Sequence, residues 1–254
     1  MRKAFIAGNW KMNTNLHSAV VLAKEIAEGC ADVVHEGGLT VAVCPPALYL
    51  SAVSAALSSS PVALGAQNMH FETTGAFTGE ISSAMLKDVG CTYVILGHSE
   101  RRHVFGESGT MINKKVHAAI SAGLLPILCV GELAGQREAG ETEAVIERQL
   151  HEGLSQVGVE KMAAVTIAYE PCWAIGTGET ATPQQAQEVH AFIRKTLEGL
   201  YDRSLAQEAR IQYGGSANPG NAAELLEQPD VDGLLVGGAS LKGADFVAIV
   251  DAAG

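Results

Sequence analysis

The chain has 254 residues, 47% of them hydrophobic and 18% charged, enough apolar material to bury a sizeable core and far from the composition of a disordered polymer. Seventeen Lys+Arg against 28 Asp+Glu give a net charge of -11, and no basic block or basic-aromatic stripe interrupts it, which argues against a nucleic-acid partner. The five cysteines are scattered, none at Cys-x-x-Cys spacing, and read as reduced thiols rather than a disulfide framework.

Met1-Arg2-Lys3 leads into the first short apolar run, Phe5-Ile6-Ala7, which stops at Gly8-Asn9-Trp10-Lys11. It is too short for a secretory core or a membrane span, so it reads as a strand in a cytoplasmic protein without membrane contact. Comparable runs follow at residues 39–43, 62–66, 93–96, 126–130, 165–168, 211–213 and 234–236. Each is succeeded by glycine or polar residues and then by a longer segment of helical period. After the sixth run, Thr182-Pro183-Gln184-Gln185 is a helix start: threonine at the cap, proline at the first position, glutamine closing a capping box. Ala186, Val189, Ile193 and Leu197 then form one apolar stripe. Asn218-Pro219 reads as another start of this kind, with Leu225-Leu226 as its apolar face.

Regular alternation of strand and helix demands a parallel sheet, because each crossover returns the chain to the same end. Eight such units fit a closed (β/α)8 barrel formed by residues 1–254 as one domain, although an open doubly wound sheet has the same periodicity. The barrel is favoured by the residues just past the strands: Asn9 and Lys11, His98, Glu132, Glu170, Ser216, and Gly237-Gly238. A barrel gathers all of these at one mouth.

Three groups of residues carry chemistry. Glu170 directly follows an apolar strand and precedes Pro171, then Cys172-Trp173-Ala174-Ile175-Gly176-Thr177-Gly178. This is the composition of a base beside a hinged, water-excluding lid, or of a solvated glutamate in an ordinary loop. His98, in Gly97-His98-Ser99-Glu100-Arg101-Arg102, stands before what reads as the first turn of a helix. The positive end of that helix is expected to lower its pKa and keep it neutral. The Gly-x-Ser opening is no nucleophile elbow, because Arg101 stands where glycine is required. Finally, Gly176-Thr177-Gly178, Gly214-Gly215-Ser216 and Gly237-Gly238 offer backbone N–H groups, and the last two follow the final two strands, where barrels bind phosphate. Gly176-x-Gly178-x-x-Ala181 fits a relaxed dinucleotide pattern, but its helix begins only after the motif ends. No histidine has metal-ligand spacing, and neither metal nor cofactor is expected.

Together, Gly8-Asn9-Trp10-Lys11-Met12-Asn13, Gly97 to Arg102, Tyr169 to Gly178, Tyr213-Gly214-Gly215-Ser216 and Gly233 to Leu241 resemble the triosephosphate isomerase family, from the first strand to the last helix. The resemblance implies interconversion of dihydroxyacetone phosphate and glyceraldehyde 3-phosphate in glycolysis and gluconeogenesis. It implies Glu170 as the base that moves a proton between neighbouring carbons, and neutral His98 as the group that polarises the carbonyl and shuttles protons between oxygens. By the same resemblance Lys11 is expected to offset the charge of substrate and enediolate, Asn9 to orient oxygens, and the N–H groups of Gly176, Ser216, Gly237 and Gly238 to hold phosphate. The resemblance further implies a lid from Pro171 to Gly178 whose closure brings Ile175 and Leu235 against Glu170. Cys172 stands where the family commonly has valine. The resemblance also implies a homodimer, with Asn13, Phe77, Thr78 and Gly79 at the partner. Two other readings keep the scaffold: a Schiff-base aldolase, for which Lys11 is the one strand-end lysine, and a catalytically silent phosphosugar binder.

Overall fold

A computed structural model describes residues 2–35, 38–174 and 180–254. Among them, β1 (Phe5–Asn9), β2 (Thr40–Cys44), β3 (Ala63–Ala66), β4 (Tyr93–Leu96), β5 (Leu125–Val130), β6 (Thr166–Tyr169), β7 (Ile211–Tyr213) and β8 (Gly233–Val236) form a closed barrel in sequence order. Every pairing is parallel, and β1 closes the ring by pairing Phe5 with Gly233 and Gly8 with Val236. The open sheet is thereby excluded. The expected strands stand, with ends displaced by a residue or two.

Side chains alternate along each strand and so divide the core in two. Phe5, Ala7, Ala42, Tyr93, Ile95, Ile127, Ala168 and Leu235 form an inner cluster. Ile6, Val41, Val43, Val94, Leu96 and Ile167 join the larger layer between sheet and helices. No described helix is long and apolar enough to cross a membrane.

The helix Pro183–Leu200 starts as its sequence dictates. Thr182 Oγ1 accepts from the Gln185 amide at 3.1 Å, and Gln185 Oε1 accepts from the Thr182 amide at 2.9 Å. Its stripe of Ala186, Val189, Ile193 and Leu197 is buried. The start expected at Asn218-Pro219 is corrected: the helix is Ala222–Leu226. Asn218 Oδ1 accepts from the Gly220 amide at 2.9 Å, and Asn221 Oδ1 accepts from the Asn218 amide at 2.8 Å. These side chains capture the backbone in a turn that competes with the helix and delays it. Leu225 is buried below, while Leu226 is only partly covered.

Candidate active site

Asn9 ends β1, and Lys11 follows two residues later with φ +49°. This left-handed region costs a side-chain-bearing residue of order 1–2 kcal/mol. Asn9 Oδ1 accepts from the Lys11 amide at 3.0 Å and braces the turn. The lysine Nζ lies 2.8 Å from Glu100 Oε1.

Gly97 turns the chain out of β4 with φ +69°; a Cβ there would sit 2.9 Å from Arg102 Nη2. His98 then caps the short helix Ser99–His103, its Nδ1 accepting from the Glu100 amide at 3.2 Å. Glu170 emerges from β6, its amide donating to Val130 O at 2.8 Å. One carboxylate oxygen lies 2.9 Å from His98 Nε2, and the other accepts from the Ser99 amide at 2.8 Å. Gly214 gives it room, since a Cβ at that position would stand 3.0 Å from Glu170 Cγ.

A nitrogen that accepts a hydrogen bond carries no proton, so His98 Nδ1 is bare and the ring's hydrogen is on Nε2, donated to Glu170. Burial opposes charge on this ring, but Glu170 in contact, with Glu100 nearby, lifts its pKa above the ordinary histidine value. The expected lowering by the helix start is thus corrected: a carboxylate at hydrogen-bond distance outweighs one short helical turn. Above that raised value the ring stands in the neutral form that its hydrogen bonds describe. For Glu170, burial favours the neutral acid, yet His98, the Ser99 amide and Lys11 together hold the carboxyl below its usual range. The group is therefore ionised and able to accept a proton.

Asn9, Lys11, Asn13, His98, Glu170, Ser216, Leu235, Gly237 and Gly238 all line one cavity of about 480 Å³ at the C-terminal ends of the strands. Residues separated by more than two hundred positions thus converge as expected. Glu132 turns elsewhere: its fully buried carboxylate accepts from Trp173 Nε1 at 2.9 Å, Tyr169 Oη at 3.0 Å and Arg137 Nη1 at 3.3 Å. It anchors the foot of the expected lid. Pro171 leads into a turn of 3-10 helix, Cys172–Ala174, and Ser216 Oγ donates to Ala174 O at 2.7 Å. Ile175, Gly176, Thr177 and Gly178 lie outside the described residues, and with them the expected apolar clamp from Ile175 and the phosphate contact from Gly176.

Cys172 is half-buried, with Sγ 3.5 Å from Glu170 O. Burial, then Glu170 and Glu132, push its thiol up to about 12, so it is protonated near neutral pH and a poor nucleophile. Phe77, Thr78 and Gly79 stand on an exposed loop that does not line the cavity, with the Phe77 ring 4.2 Å from that of His70. Sequence reasoning passed over Glu100. Its only signal was its place two residues after His98 at a helix start, where a carboxylate is ordinarily explained by the helix dipole.

Residues 4–253 match the family model described as triosephosphate isomerase. The triosephosphate isomerase of Carboxydothermus hydrogenoformans is 56% identical over 250 residues, covering 98% of each chain. That of Hydrogenovibrio crunogenus is 54% identical over 255 residues, covering 100% of this chain and 99% of its own. For Rhodopirellula baltica the identity is 52% over 252 residues, with 99% and 98% covered.

Proposed function

The chain belongs to the triosephosphate isomerase family, and from that premise we propose how its own residues carry the reaction. It interconverts dihydroxyacetone phosphate and D-glyceraldehyde 3-phosphate, a step of glycolysis and gluconeogenesis. Starting from the ketone, Glu170 takes a proton from the hydroxymethyl carbon. The electrons of that C–H bond form the carbon-carbon double bond of an enediolate, while the carbonyl electrons move onto oxygen. His98 supplies its Nε2 hydrogen to that oxygen and recovers one from the neighbouring hydroxyl. Glu170 then returns its proton to the adjacent carbon, giving the aldehyde with no net change in the enzyme.

The observation that carries this reading is that Glu170, His98 and Lys11 come from three separate strand ends to one cavity, with carboxylate and imidazole 2.9 Å apart. In this arrangement Glu170 is occupied by His98 and the Ser99 amide. Turning toward substrate frees it from both, and the same Nε2 hydrogen is then free to meet the carbonyl oxygen. Leaving those donors also removes what holds its pKa down, so the carboxylate grows more basic as it engages. Lys11 offsets the developing negative charge, tethered meanwhile by Glu100, and Asn9 orients the oxygens. Backbone N–H groups of Ser216, Gly237 and Gly238, with Gly176 from the lid, suit the phosphate. At contact range they and Lys11 overcome the repulsion of a chain with net charge -11. The family resemblance assigns Pro171 to Gly178 the role of a lid that excludes water from the enediolate.

Glu170→Asp retracts the carboxylate by one methylene and is expected to lower kcat about 10²–10³-fold with an unchanged melting temperature. Near-normal turnover in a coupled assay would remove Glu170 as the base.

The same reading takes the protein as a cytoplasmic homodimer. Met12 is 95% exposed, and Leu48, Phe77, Met85, Val104 and Phe105 are also solvent-facing in the single chain. Apolar exposure on this scale suits a surface that another copy covers. Asn13, Phe77, Thr78 and Gly79 belong to that contact, and the free thiols suit a reducing compartment. Sedimentation of Phe77→Asp is expected to show the monomer mass where the unmodified protein shows twice it; one mass shared by both would reject this contact.

A further inference from the structure

We propose that Gln67 is a positioning residue for the isomerisation: its side-chain amide pins the left-handed backbone turn at Lys11 to the end of β2 and so sets where the lysine ammonium stands in the cavity. The proposal rests on the reading of Lys11 as the cation that offsets substrate charge.

Gln67 directly follows β3 and does not line the cavity, so it has no route to substrate of its own. Its Nε2 donates to Lys11 O at 2.8 Å and to Cys44 O at 2.9 Å. A primary amide nitrogen carries two hydrogens, and these two carbonyls use both. The reverse orientation of the amide would set its oxygen against two carbonyl oxygens, so chemistry fixes which way the group points. Cys44 is the last residue of β2, fully buried, and its carbonyl also receives the Trp10 amide at 3.1 Å. One end of the clamp is therefore rigid.

The other end needs it. Lys11 holds φ +49°, a conformation its side chain disfavours. Asn9 braces the amide side of that turn, and Gln67 braces the carbonyl side. Without the second brace the turn is free to relax toward ordinary φ. Rotation there redirects the Cα–Cβ bond, and the long lysine side chain carries that change of direction out to Nζ. Glu100 holds the ammonium itself at 2.8 Å, but it is half-exposed and can follow a displaced partner. Glutamine has the length to bridge two strand ends; asparagine, one methylene shorter, cannot reach both.

The test compares full-length Gln67→Met, Gln67→Asn and Lys11→Met by steady-state kinetics and thermal melting. If the ammonium is displaced, binding of the anionic substrate weakens, so Gln67→Met raises KM about tenfold with a smaller change in kcat and a melting temperature close to that of the parent. A merely structural role lowers the folded fraction instead, reducing apparent kcat at unchanged KM, and that result overturns the proposal. Should Gln67→Met not fold, Gln67→Asn keeps a polar amide in place and carries the same expectation and the same refutation. Lys11→Met separates the two claims. Near-normal activity there rejects the reading of Lys11, whereas collapse of its activity beside an unchanged KM in the Gln67 variants rejects the clamp alone.

Discussion

The two ends of the barrel both bury charge, and they do so in opposite ways. At the mouth, Glu170 has two hydrogen-bond donors, the Ser99 amide and His98, and on the proposed mechanism it releases the histidine to reach substrate. At the other end, where β7 and β8 begin, Arg194 is saturated. Its guanidinium donates to Asp230 Oδ1 and Asp232 Oδ2, and to the carbonyls of Ala206 at 2.6 Å, Ala209 at 2.9 Å and Asp230 at 3.3 Å. Asp232 further accepts from the Ile211 amide at 2.9 Å and from Arg2 Nε. A buried charge with every donor satisfied is a fastener, because any movement leaves a desolvated group unpaired. One with partners to spare or to exchange can move and react. Ion pairing alone therefore does not mark a site; a charge beside a cavity whose partner can be exchanged does.

The sharpest break of this contrast is Arg194→Ala. It takes the guanidinium away from Asp230, Asp232 and three carbonyls, and unfolding in urea is expected to show a loss of about 3–5 kcal/mol. KM of the protein that remains folded should be unaltered. A raised KM with intact stability would mean that the fastener belongs to the site. Next in size, His98→Gln keeps a side chain at the mouth but loses the imidazole, and kcat is expected to fall about 10²-fold while the urea midpoint stays put. A substantial drop in that midpoint would make His98 part of the scaffold.

The smallest effect lies between the two ends, at His190. This ring is fully buried, its Nδ1 3.1 Å from Asp230 O, and it packs edge-on to Tyr169 with centroids 5.9 Å apart. Burial lowers its pKa from 6.5 to about 4. Because the folded value is the lower one, the unfolded chain binds the extra proton between those limits. Stability is thus present above pH 6.5 and lost as pH falls toward 4, by about 2 kcal/mol between pH 7 and pH 5. His98 acts with the opposite sign: its raised folded value contributes stability below the ordinary histidine pKa that disappears as pH rises through it. Urea titrations at both pH values isolate the first effect if His190→Asn flattens the dependence. Parallel slopes in the two proteins would assign acid sensitivity to other groups.

What was legible in the chain divides along similar lines. The strands and the capping box at Thr182 could be read because their determinants are local: apolar alternation, a proline at the first helical position, a glutamine three residues after the cap. That Glu170, His98 and Lys11 share a cavity is legible because strand ends in a barrel share one mouth, which converts position in sequence into position in space. The failures all involve a side chain whose partner is remote or in competition. Asn218-Pro219 has the composition of a helix start, but the Asn221 side chain, three residues on, competes for the Asn218 amide and holds a turn there. The pKa of His98 follows Glu170, 72 residues away in sequence, over the neighbouring helix, and no local pattern carries that. Gln67 was invisible, since an isolated glutamine after a strand carries no signal until the backbone it holds is seen.

Closure of the ring has a consequence for how the molecule is made. Phe5 pairs with Gly233, and Arg2 reaches Asp232, so the first barrel strand to be made waits for the eighth. Throughout that interval one edge of the nascent sheet has no neighbour, and its hydrogen-bonding groups and apolar side chains are open to other nascent chains. A premature stop anywhere before the eighth strand leaves this edge permanently bare. The ring loses its seam only once the eighth strand has been made.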